Sequence, residues 1–383
     1  MKRKILALAM SFSLAACMLS GCAEIGVTSI VPDEDETEEI AVAEEETEPD
    51  AGDSKEDADG YVADASGSRG NYNVKITLAN FCADGEPGQN ASLFFAEKVR
   101  EYSEGTIEVE VHNNSEFGNA PEMAQLVKEG SIEACLVCEA TLDQYDIRYA
   151  LVPMPYLYDD YEHAYAVVDG PFREWVNDGT LEKQGLHDIG SWDYGFRNVT
   201  NSKHPIEHPS DIEGLTIRTP FEIQLIYTFE ALGATVKQIS FSELITAMQS
   251  GEMDGQENPI STIANNKLWD CNQKYVTMTR HQWESLNLIF NNDFWQGLTP
   301  SQREAIEKAS KDASASMRSE VIATERDYIQ VCKDNGMEVI EDIDKEEFRE
   351  AVSSAYDSMA EYVGDKALVE KMLEITESVR EQQ

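Results

Sequence analysis

From Val74 onward, short runs of alternating apolar and polar residues take turns with stretches whose apolar positions fall three and four apart. Residues 74–79, VKITLA, alternate as a strand, and residues 91–105, ASLFFAEKVREYSEG, follow with helical spacing and stop at Gly105. TIEVEV (106–111) puts Ile107, Val109 and Val111 on one face, the pattern of a half-buried strand. PEMAQLVKEG (121–130) predicts a helix closed by Gly130, and IEACLV (132–137) the next strand. This βαβαβ order predicts a mostly parallel sheet covered by helices.

The rhythm restarts further on. LTIRTP (215–220) reads as a strand, FEIQLIYTFEALG (221–233) as a helix ending at Gly233, TVKQIS (235–240) as a strand, and SELITAMQSG (242–251) as a helix opened by Ser242. Two α/β units in succession predict two lobes, the first over about 73–194 and 283–325, the second over about 195–282 and 326–380. Ligand sites in such sheets lie at the carboxyl ends of the strands, facing the partner lobe. Thr299, Pro300 and Gln302 form a helix start, and neither Gly nor Pro follows until Gly336. That combination is an N-cap, a first-position proline and a capping-box partner. It leaves room for about 35 helical residues, roughly 50 Å. Ile306, Ala309, Ala313, Met317 and Val321 keep one side apolar, so either one helix runs along both lobes or a kink divides it. Residues 344–364 and 366–376 predict final covering helices.

Charge changes the picture at the N-terminal end. The chain of 383 residues carries 73 acids against 30 bases, a net charge of -43. That excess argues against nucleic acid and anionic lipid as partners, since both call for Lys and Arg. Residues 33–59 alone hold 15 acids and one Lys, with no aromatic residue. Such a segment buries too little apolar surface to offset its ordering entropy, and residues 22–70 are expected to be a disordered acidic linker. Before it, Lys2, Arg3 and Lys4 precede an apolar run from Ile5 to Leu19 and then LSGCAE. This resembles a bacterial lipoprotein signal, residues 1–21, with lipid on Cys22. LAAC, ending at Cys17, fits the same box, but polar residues begin only at Glu24. The expected location is outside the cytoplasmic membrane, with residues 71–383 as the folded domain.

The chemistry-bearing residue types are mostly uninformative. Of seven Cys, five lie beyond the signal, and Cys135 and Cys138 form a lone C-x-x-C inside an apolar stretch. A zinc site needs a second pair with suitable spacing, so core thiols and no metal are expected. The sequence has no G-x-S-x-G, H-E-x-x-H, G-x-x-x-x-G-K-[ST] or G-x-G-x-x-G, hence neither a common catalytic signature nor a nucleotide cofactor motif. His204 and His208 are each followed by proline and read as a turn. Acid pairs abound, which leaves an enzyme acting on acidic sugars with paired carboxylates as a rival reading. Trp192 and Trp283 fit either a cleft lining or the core.

The basic residues say more. Arg218 sits near the end of the strand LTIRTP, and Arg197 sits in YGFRNVT. Arginine presents a planar fork that binds a carboxylate through two parallel hydrogen bonds. MDGQENP (253–259) crowds acids and amides ahead of a proline and suits neither a helix interior nor a core strand. By itself it reads either as a solvated loop or as a segment that holds the Asn258 amide to a ligand, where it can donate to a carboxylate or a hydroxyl.

With these pieces in place, the run from Tyr194 to Pro259 resembles the solute-binding proteins of tripartite ATP-independent periplasmic (TRAP) transporters. The matching strings are YGFRNVTNSKHPI, DIEGLTIRTP, YTFEALGATVKQISFSEL, TAMQSGEMDGQENPI and, slightly later, YVTMTRH. Weaker likeness extends from about Val74 to the end. The resemblance implies an α/β, two-lobed, periplasmic-binding-protein-like fold with a long helix spanning both lobes, closing on an organic acid without any cofactor. It places the carboxylate-binding arginine on Arg218, a second arginine on Arg197, the amide on Asn258 and a pocket aromatic on Phe241, and it makes MDGQENP a cleft wall, with Gly255 allowing a tight turn and Asn258 facing the ligand. An acidic pocket residue falls on Glu139 and a polar one on Asn80. Integral membrane permease subunits, driven by an ion gradient, are the implied partners. FGNAPEM (117–123) stands where the family's loop is often acidic, which leaves the solute open between sugar acids such as uronates and C4-dicarboxylates. A sensory lipoprotein with the same binding domain is a further rival.

Overall fold

The structure, a computed structural model, describes residues 74–382. The leader, both lipidation candidates and the acidic linker lie outside the described residues. Eleven strands occur among those residues: β1 (Val74–Asn80), β2 (Ile107–His112), β3 (Ala134–Cys138), β4 (Leu186–Ser191), β5 (Gly195–Asn201), β6 (Thr216–Thr219), β7 (Thr235–Gln238), β8 (Gly255–Pro259), β9 (Tyr275–Glu284), β10 (Leu286–Asn291) and β11 (Glu338–Ile340). They form two sheets, one ordered β2-β1-β3-β10-β4 and the other β11-β9-β5-β8-β6-β7. The chain is a two-lobed α/β protein.

The predicted βαβαβ unit is parallel, with β1 paired to β2 and β3. Both sheets are nonetheless mixed. β10 runs antiparallel between β3 and β4, and β5 runs antiparallel to β8 and β9. The antiparallel strands mark where the chain passes between lobes. It leaves the first sheet after β4 for β5 and returns from β9 to β10 across Ser285 alone.

The helix Pro300–Asp334 is continuous over 35 residues, and the Thr299–Gln302 capping box opens it as expected. Its first half, through Ile306, Ala309, Ala313, Met317 and Val321, shares a cluster with Ile76, Leu78 and Leu288 of the first sheet. Its last turns, Ile329 and Cys332, pack with Leu244, Ile263 and Val276 of the second. One helix therefore belongs to two cores, which explains its length. The final helices divide differently from the sequence reading, which placed 326–380 with the second lobe. Ser353–Val363 packs on the Ile223–Ala231 helix, but Lys366–Arg380 packs on Tyr161–Asp169 beside the first sheet.

MDGQENP requires a correction. Gly255–Pro259 is not a turn but the fully buried strand β8, paired to β5 on one side and β6 on the other. Gly255 is needed for closeness rather than for a turn. A Cβ there would lie 2.3 Å from the Thr200 carbonyl oxygen, far inside contact distance. The strand tolerates polar side chains in the core because each finds a partner. Gln256 donates to Thr200 Oγ1 at 3.0 Å, and Glu257 takes an arginine described below. Trp192 and Trp283 are fully buried core residues, and the described cysteines are buried thiols.

Candidate functional site

A cavity of about 450 Å³ opens between the two sheets. Arg218, Arg197, Asn258 and Phe241 all line it, joined by Tyr194, Cys138 and Glu222. The strands explain this convergence. Arg218 lies on β6, Arg197 on β5 and Asn258 on β8, three hydrogen-bonded neighbours. Phe241 opens the helix that follows β7, and its ring centroid lies 6.0 Å from the Arg218 guanidinium carbon.

The two arginines differ in their partners. Arg197 is fully committed to protein acids. Its Nη2 donates to Glu257 Oε1 at 2.9 Å and to Asn258 Oδ1 at 3.2 Å, its Nε to Glu257 and its Nη1 to Glu284. Arg218 has only a backbone carbonyl. Its Nε and Nη2 both donate to the Ile239 oxygen, at 3.0 and 2.7 Å. Among the described residues, no carboxylate lies within 4.0 Å of Arg218 and its Nη1 has no hydrogen-bond partner. Burial pushes the Arg218 pKa down to about 10, outweighing the charge of Glu257, which makes no contact with it.

Glu139 and Asn80 are not brought to the cavity wall. Glu139, at the end of β3, accepts from the Ser285 amide at 2.8 and 2.9 Å and from its hydroxyl at 3.0 Å. Asn80, at the end of β1, donates to Gln89 at 2.9 Å and accepts from the Cys82 amide at 2.9 Å. Both tie loops together at the strand ends. Three acids that the sequence reading did not single out stand nearer. Glu257, Glu284 and Glu222 surround Arg197 and the cavity floor, each fully or nearly buried.

These acids are tuned apart by their partners. Burial and the Glu284 charge push Glu222 far above the carboxylate range. Burial raises Glu284 to about 7 despite Arg197, and raises Glu139 to about 8 despite Ser285. Burial opposes ionisation of Glu257 as well, yet Arg197 and His281 hold it below its ordinary value. Away from the cavity, burial lifts Glu86 and Asp193 to about 7.

A pH dependence of stability follows. Unfolded carboxyls titrate near pH 4. Between about pH 4.5 and 7 the folded chain therefore binds more protons than the unfolded one through Glu86, Asp193, Glu284 and Glu139, and stability falls as pH rises. Asp188, buried but held low by Arg173, and Glu257 act in the opposite sense, only below about pH 4. The melting temperature is expected to peak near pH 5 and to drop several degrees by pH 8. Circular dichroism at constant ionic strength reads it, and a steady rise from pH 5 to pH 8 would contradict the buried protonated acids.

Two α/β lobes joined by crossing strands, with a cavity between the sheets and a buried guanidinium open to it, define a ligand-binding protein of the two-lobed class. The comparisons agree. The profile described as bacterial extracellular solute-binding protein, family 7, matches residues 78–362, and the chain belongs to that family. An uncharacterized protein of Sinorhizobium fredii is 32% identical over 291 residues, 74% of this chain, and the chain spans 52% of that relative's length. The 2,3-diketo-L-gulonate-binding periplasmic protein of Escherichia coli is 28% identical over 264 residues, 69% of this chain and 80% of the relative. Among solved structures, the sugar acid binding protein of Advenella mimigardefordensis in complex with galactonate superposes with a TM-score of 0.76 at 29% identity, covering 80% of this chain and 99% of that one. Among the described residues, no helix is long and apolar enough to cross a membrane.

Proposed function

We propose that this protein is the extracytoplasmic receptor of a TRAP-type secondary transporter, that it captures a carboxylated organic solute, and that it releases the solute unchanged to membrane permease subunits. The single observation that carries the reading is Arg218, a buried guanidinium with no carboxylate within 4.0 Å among the described residues. A solute carboxylate supplies the missing anion, gains charge-assisted hydrogen bonds and reverses the desolvation cost. Asn258 and Phe241 shape the same wall, and the lobes close over the solute by hinge motion at the crossing strands. The sugar acid bound by the Advenella protein and the diketogulonate named for the Escherichia coli relative both carry a carboxylate, which supports the class of solute.

The sequence supports a leader over 1–21, a lipid on Cys22 and an acidic tether over 22–70, so that a solute-binding domain over 71–383 ranges near the membrane while anchored to it. A thermal-shift screen of the full chain in detergent tests the reading. Uronates, aldonates, C4-dicarboxylates, keto acids and neutral sugars form the panel. A ligand at 100 times its Kd adds about 2.7 kcal/mol. A shift with at least one acid, with the acid recovered intact by NMR, is the expected result. A shift confined to neutral sugars, or turnover of the bound acid, would sink it.

A further inference from the structure

The cavity floor holds a group that neither the family likeness nor the arginines explain. Glu222 follows Arg218 by four positions, at the N-cap of the Ile223–Ala231 helix, yet its side chain makes no capping hydrogen bond. The carboxyl instead turns inward. A Glu222 oxygen, a Glu284 oxygen and the Cys138 sulfur all lie within 4.8 Å of one another. Gln282 Nε2 donates to Glu222 Oε2 at 3.3 Å. Glu284 Oε1 is buried with no partner of its own. A proton shared between the two carboxyls satisfies both oxygens, and burial beside Glu284 favours that proton on Glu222. Glu222 then presents to the cavity a neutral carboxyl whose proton is held by Glu284 and whose oxygens accept.

Charge around this point decides what it can receive. The nearest guanidinium, Arg197, is held by Glu257 and Glu284. Glu257 is occupied in turn by Arg197 and His281, and Glu139 by Ser285. At the cavity mouth, Glu122 and Glu243 cap their own helices through Asn119 and Ser240. Arg218 alone among the described lining residues is a cation without a carboxylate partner. One end of the site therefore suits one anion, and the floor suits an alcohol.

We propose that Glu222 determines specificity in this site: it receives a hydroxyl of the solute and turns away a second carboxylate, so that the solute is a hydroxylated monocarboxylate rather than a dicarboxylate. This rests on the reading that Arg218 docks the first carboxylate. A second carboxylate placed at the floor would meet Glu222 and Glu284 with no free cation, an unpaired buried charge. A hydroxyl there donates to the neutral carboxyl and brings no charge that needs a counter-ion.

Isothermal titration of the full chain in detergent with erythronate, galactonate, glucuronate, succinate and malate tests this, on the wild type, Glu222→Gln, Glu222→Leu and Arg218→Ala. A hydroxylated monoacid is expected to bind at least about 100-fold more tightly than succinate or malate. Glu222→Gln keeps a donor and an acceptor of similar shape and should hold that affinity within about tenfold. Glu222→Leu should lose most of the preference while its melting temperature shows a folded chain. A dicarboxylate as the tightest ligand, or an unchanged preference in both Glu222 variants, would overturn the role of Glu222 and leave the receptor reading standing. No binding of any acid, or acid binding indifferent to Arg218→Ala, would overturn both.

Discussion

Arg218→Ala is expected to weaken binding of the preferred acid by about 30- to 5,000-fold, equivalent to ~2–5 kcal/mol, while the ligand-free protein keeps its melting temperature or gains slightly. The two halves of this result have one cause. In the empty cavity the guanidinium is buried with only the Ile239 carbonyl as partner, so removing it relieves a desolvated cation. In the filled cavity the same removal leaves the solute carboxylate buried without a cation. Arg218→Lys should fall between, because an ammonium keeps the charge but loses the fork. Titration calorimetry and thermal denaturation on the same preparations read both halves. An affinity within threefold of wild type would mean that the carboxylate docks elsewhere.

How much of this was legible in the sequence depends on whether the cause is local. Arg218 was legible because a strand ending in Arg-Thr-Pro places its side chains near the carboxyl edge of a sheet, where two-lobed proteins bind ligands. The long helix was legible because its capping box and apolar stripe are written within a few turns. β8 was not, because its period of polar residues becomes buried only when β5 and β6 supply partners on both sides. The resemblance put Asn80 and Glu139 in the pocket; both lie at strand ends, but spacing carries no information on which way a side chain turns there. Both turn toward neighbouring loops rather than the cavity. Glu222 and Glu284 are far apart in the chain, and only the crossing from β9 back toward the first lobe sets them side by side. In a chain with 73 acids, no local signal marks the two that share a proton.

Arg197 offers the opposite outcome to Arg218, although both were read as ligand arginines. Its substitution by methionine is expected to destabilise the fold by about 3–5 kcal/mol, read as a lower urea midpoint with an unchanged slope. The reason is the fate of its partners. Glu257 and Glu284, both fully buried, would lose the cation that now binds them, so that ionising them at pH 8 goes uncompensated. Those charges can be removed by protons, so the penalty should shrink at pH 5 relative to pH 8. They can also be removed by substitution. Adding Glu257→Gln and Glu284→Gln to Arg197→Met should recover more than half of the lost stability, since amides of the same shape need no counter-ion. The reverse order is informative too. Either glutamine substitution alone, with Arg197 retained, should cost less than loss of the arginine, because one carboxylate remains to hold it. If Arg197→Met proved neutral at pH 8, the buried ion cluster would not be what braces β5 against β8 and β9, and the arginine would be free to serve the solute.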